Sequence, residues 1–185
     1  MQWFENIKNS LGKKQLLART PKSVPLQSMP DYSKIQDIAI VYPAGNAEQE
    51  DQVQEFAGHL RAQGKKVFLM GFLNQKELGE KRHLHIQSQY FWREYLGLLN
   101  LPVKEKLAGF IKQPFDLLIN LCPEFNLPIL ALCAYSEAGL KIAPHSVEAE
   151  PFHQILIDSN SNNLLELGIQ MENYLLLITP KPRKG

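Results

Sequence analysis

Ile38-Ala39-Ile40-Val41-Tyr42, then Pro43-Ala44-Gly45-Asn46, then Val53, Phe56, Ala57 and Leu60, and finally Lys66-Val67-Phe68-Leu69-Met70, decide the fold class of this chain. The first and last segments are apolar, β-branched and of strand length, with no polar alternation. Strands of that kind are buried on both faces, as in a parallel sheet covered by helices. Between them the apolar residues recur at helical spacing. Asn46 is placed to cap that helix, and Glu48, Glu50 and Asp51 suit its positive end. Gly64 follows as the residue that ends it. The unit is βαβ.

The same alternation continues. Short strands are expected at Ile86–Phe91, Phe115–Leu121, Leu140–Ala143 and Gln154–Ile157, and helices at Val103–Ile111, 126–138 and Leu164–Leu177. In the second of these helices Pro128 falls in the first turn, where its missing N–H costs nothing. The expected fold is α/β: a three-layer, mostly parallel sheet of five to six strands, Rossmann-like or flavodoxin-like, with basic extensions at both ends. A chain of 185 residues, 44% of them hydrophobic, suffices for one such domain. It is placed at residues 35–178, after a basic extension and Pro-rich connector over 1–34 and before a basic tail over 179–185.

Charge divides along the same boundaries. Lys8, Lys13, Lys14, Arg19 and Lys22 precede the domain, and Lys181, Arg183 and Lys184 follow it, with Glu5 as the one acid at either end. Residues 31–180 hold twelve cations and eighteen acids, a net of −6. An acidic body with basic ends attracts polyanions at the ends and repels them elsewhere. Trp3, Phe4, Ile7 and Leu11 share one face of a short amphipathic helix. Thr20-Pro21, Val24-Pro25 and Met29-Pro30 then enforce an extended path.

Catalytic signatures are missing from the sequence. The first β–α turn holds one glycine and is followed by acids, so it lacks the G-x-G-x-x-G that lets backbone approach a pyrophosphate. Leu11-Gly12-Lys13-Lys14 follows no strand and lacks the first glycine of a P-loop. No serine or cysteine stands in a nucleophile elbow. Cys122 and Cys133 form no CxxC pair and read as reduced, packed thiols. His83 and His85 lie among cations that oppose a metal. His59 falls on a helix surface, and His145 and His153 near strand ends. Asp116, Glu124 and Asp158 read as turn or capping acids. Neither a cofactor nor a metal is expected. In α/β sheets ligands bind beyond the carboxyl ends of the strands, so the loops to inspect are 43–46, 71–74, 122–126 and 144–145.

Phe110-Ile111-Lys112-Gln113-Pro114-Phe115-Asp116-Leu117-Leu118-Ile119-Asn120-Leu121 resembles the F-I-x-x-x-F-D-L-L-I-[ND]-L run of a small bacterial family catalogued as a domain of unknown function. Ser136-Glu137-Ala138 and Lys141-Ile142-Ala143 fit the same pattern, with Ala143 where that family often has glycine. The resemblance spans about residues 35–178. It implies an α/β fold and a cytoplasmic location, and carries over no active site.

No segment approaches the ~20 apolar residues that span a bilayer, and no apolar leader opens the chain. The expectation is a cytoplasmic, non-enzymatic protein bound to RNA or to a ribonucleoprotein such as the ribosome. The eight terminal cations would follow phosphates, and Trp3 and Phe4 would anchor on bases or in a groove. One alternative is a small-molecule or nucleotide-binding enzyme with its site at the strand ends. A second is a scaffold that docks a protein or a membrane through the Trp3–Leu11 face.

Overall fold

A computed structural model of the chain describes residues 2–26, 30–76 and 85–179. Six strands form one sheet: β1 (Asp37–Pro43), β2 (Lys66–Leu73), β3 (Ser88–Trp92), β4 (Leu117–Asn120), β5 (Leu140–Pro144) and β6 (Ile155–Ile157). Their order is β3-β2-β1-β4-β5-β6. All five pairings are parallel, with Ile38 opposite both Val67 and Leu117. This is the Rossmann order, and its switch point lies between β1 and β4.

The central strands are buried on both faces. Ile38, Ile40 and Tyr42 point with Leu117 and Ile119 toward α2 (Ala47–Ala62) and α5 (Leu164–Ile178). Ala39, Val41 and Leu118 point the other way, toward α3 (Ala108–Ile111) and α4 (Leu127–Tyr135). The period-2 alternation therefore feeds two cores, which explains the lack of polar positions in β1. α2 and α5 pack closely because residue 168 is glycine. A Cβ there would stand 2.6 Å from the Phe56 ring.

The helix of the first βαβ unit is capped as expected: Asn46 Oδ1 accepts from Gln49 N at 2.8 Å, and Gly64 adopts φ +83° past the helix end. Three expectations are corrected. Residues 104–111 form a 3-10 turn (Lys104–Leu107) and one α-helical turn, because Pro102 and Pro114 leave little room for more. α4 stops at Tyr135, where Ser136 turns extended and its Oγ accepts from Ala138 N. β4 starts at Leu117, since the Asp116 carboxylate takes the N–H groups of Gln36 and Asp37 at 2.7 and 2.9 Å. Those two bonds hold the Asp116 carboxyl below the usual range.

The N-terminal helix departs most from expectation. α1 (Gln2–Arg19) has 18 residues and lies on the body. Gly12, Leu16 and Thr20 face inward and are buried. Leu16 joins a third core with Leu101, Leu127, Leu130 and Phe152. At position 12 a Cβ would collide with the Leu99 carbonyl oxygen and come within 2.8 Å of Leu127 Cδ2. Glycine is what allows the helix to lie this close.

Adding a methyl at the α2–α5 contact tests the packing. Alanine ordinarily gains roughly 1 kcal/mol over glycine inside a helix. Gly168→Ala is expected instead to lose about 1–3 kcal/mol through overpacking against Phe56, read as a lower urea midpoint at unchanged slope.

Candidate docking surface

At 100° per residue Trp3, Phe4, Ile7, Leu11 and Lys14 fall on one side of α1, and Glu5, Asn9, Gly12 and Leu16 on the other. The body takes the second side. The apolar stripe therefore faces away, with Trp3 67%, Phe4 64%, Ile7 37% and Leu11 47% exposed. The Trp3 and Phe4 rings meet edge-to-face with centroids 5.0 Å apart. The tightly packed face is the glycine-bearing one, and the face that looks hydrophobic in the sequence is open.

The expected cation set separates into three groups. Lys13 Nζ bonds Glu148 Oε1 at 2.9 Å, and this bond leads the causes that hold the Glu148 carboxyl below its usual range. Lys8 lies 3.9 Å from Glu5. Lys14, Arg19 and Lys22 are exposed and form no ion pair among the described residues. Lys181, Arg183 and Lys184 lie outside the described residues. Glu5, the sole acid of α1, points inward, where Asn100 Nδ2 donates to it at 3.0 Å. The outward face thus carries hydrocarbon and positive charge without a carboxylate.

The other expected positions have structural partners. Tyr42 and Tyr90 hydroxyls donate to buried Glu50 Oε2 at 3.1 and 2.9 Å, so the first β–α turn is filled by a carboxylate. His59 Nε2 lies 2.7 Å from buried Glu172. His145 is exposed, 3.4 Å from Asp158, and His85 lies 3.6 Å from Asp51. His83 lies outside the described residues. No group of three metal-ligating side chains occurs among the described residues. Burial pushes the Cys122 thiol up to about 12, and the wholly buried Cys133 upward as well, so neither is a thiolate at neutral pH. Next to Cys122, Asn120 and His145 line a cavity of about 30 Å³, room for a water or two. Among the described residues no helix is long and apolar enough to cross a membrane.

A family of unknown function (DUF6913) matches residues 8–178, and the chain belongs to it. No curated protein matches the chain, and no solved structure does.

Two predictions follow from the α1 seat and its floor. Gly12→Ala forces α1 off the Leu99 carbonyl, so trypsin is expected to cleave after Lys13, Lys14 and Arg19 at least about tenfold faster, the local opening having become easier by over ~1 kcal/mol. Below α1, His153 is 3% exposed and burial pushes it down to about 4 from an ordinary 6.5. Its Nδ1 lies 3.0 Å from Ala149 O. The fold favours the neutral ring, so its contribution is complete above pH 6.5 and is lost as pH falls toward 4. About 3 kcal/mol is expected to go over that interval, and His153→Phe should flatten that part of the stability–pH curve.

Proposed function

We propose that the protein is a non-enzymatic docking protein that attaches to a ribonucleoprotein through the outward face of α1. The observation that carries this reading is the outward stripe of α1, with Trp3, Phe4, Ile7 and Leu11 exposed and Lys14 among them, followed by Arg19 at the helix end and Lys22 just beyond it, three exposed cations that form no ion pair among the described residues. An RNA phosphate track alone leaves Ile7 and Leu11 uncovered, since aliphatic side chains offer bases no stacking partner. An apolar protein groove alone leaves the cations unanswered. A particle of RNA and protein supplies both. The net charge of −6 over residues 31–180 turns the rest of the surface away from phosphate and orients the approach.

Cosedimentation of the full chain with purified ribosomes tests the reading. Trp3→Ala/Phe4→Ala and Lys14→Glu/Arg19→Glu/Lys22→Glu should each weaken binding by about tenfold or more. Three phosphate contacts predict a loss of roughly 20-fold between about 50 and 200 mM salt. Binding that ignores both variants contradicts the proposal. So does failure to bind ribosomes combined with α1-dependent flotation on anionic liposomes, which assigns the face to lipid.

A further inference from the structure

Beneath the first half of α1 lies a cavity of about 300 Å³. It sits beyond the carboxyl ends of β2 and β4, beside the switch point where open α/β sheets keep their ligands. Its apolar floor includes Phe72, Leu96 and Leu127. Six polar side chains converge on it from five separate stretches of chain: Glu5 and Asn9 from α1, Asn74 after β2, Arg93 after β3, Asn100, and Asn126 before α4.

The hydrogen bonds among these groups have a direction. Arg93 Nε donates to Asn74 Oδ1 at 2.8 Å, and Ile129 N donates to Asn126 Oδ1 at 3.2 Å. Both donors are N–H groups that cannot accept, so the two amide oxygens are identified by chemistry. Asn100 Nδ2 donates to Glu5 Oε2 at 3.0 Å and to Asn9 Oδ1 at 2.8 Å. A carboxylate only accepts, so this chain of assignments is fixed too. Asn9, Asn74 and Asn126 therefore have their oxygens engaged, and their NH₂ groups make no hydrogen bond among the described residues. The Arg93 guanidinium makes a single hydrogen bond among the described residues; its Nη1 stands 3.9 Å from Glu5 Oε1, beyond hydrogen-bond reach. Asn100 is the one described non-glycine residue with positive φ, at 58°, a left-handed conformation that asparagine tolerates, and its amide ties the loop to Glu5 and Asn9 of α1.

We propose that this cavity binds a small oxyanion, a phosphate or carboxylate group on a compact metabolite, held by the Arg93 guanidinium and the NH₂ groups of Asn9, Asn74 and Asn126. The acceptors that could serve a cation or a donor-rich ligand are largely engaged, and the donors are not. α4 adds its positive end, with Leu127 in the wall. Glu5 is the internal competitor: the incoming anion displaces its carboxylate from the neighbourhood of Arg93. The volume is at the lower end of small-ligand sites, ~300–1,000 Å³, which suits a compact ligand. The site stands apart from the outward face of α1 and does not depend on what that face binds.

The test is titration of the full chain with inorganic phosphate and, separately, with acetate, at constant ionic strength against chloride, following the side-chain amide resonances of Asn9, Asn74 and Asn126. Saturable shifts of those resonances with phosphate or acetate support the site, and the stronger of the two names the oxyanion. Arg93→Gln is expected to weaken binding about tenfold or more. Glu5→Gln is expected to tighten it several-fold, about threefold or more, which no general loss of structure would produce. Shifts no larger than with chloride overturn the proposal, as do shifts centred on Lys14 and Arg19 or an Arg93→Gln variant with undiminished affinity.

Discussion

A glycine against a carbonyl sets the disposition of this molecule. Gly12 lets α1 lie on the Leu99 carbonyl and on Leu127, and Leu16 then reaches the core shared by Leu130 and Phe152. Once that side is committed, helical geometry leaves the position of the stripe no freedom: Trp3, Phe4, Ile7 and Leu11 must face outward. The exposure of four large apolar side chains follows from a favourable contact made elsewhere on the same helix. The same seat places Glu5 and Asn9 over the carboxyl ends of the strands, so one docking event builds an outward surface and roofs an inward cavity.

The Rossmann-type sheet provides the platform but its usual chemistry is displaced. At the first β–α turn a phosphate would meet Glu50, already bonded by Tyr42 and Tyr90. The donors that could meet an anion are instead brought from loops after β2 and β3 and from the start of α4. A shared fold with relocated polar groups accords with function residing in the site rather than in the architecture.

The sheet was legible because its strands are short, apolar and bounded by turn residues, and because Asn46 and Gly64 obey local capping rules. Those signals lie within a few residues of what they determine. The seat of α1 was not legible, since the contacts that select its buried face, Leu99 and Leu127, lie far along the chain. A glycine gives no hydrophobic signal at all, so nothing within the helix marks the side that is seated. The asparagine cavity was hidden for the same reason: its six polar groups come from positions 5 to 126, share no spacing, and acquire a common direction only through who donates to whom. Lys13 reads as a free cation in sequence and is tied to Glu148 in the fold. The 3-10 turn at Lys104–Leu107 shows the limit of periodicity where two prolines close off the space.

The most direct measurement of the α1 seat pairs amide hydrogen exchange across residues 2–19 with acrylamide quenching of Trp3 in a Trp92→Phe background. A docked helix with its stripe outward predicts amides near Gly12 and Leu16 protected well above random-coil rates, together with a Trp3 quenched almost as readily as free indole. Unprotected amides, or a Trp3 shielded from quencher in the isolated protein, would contradict it.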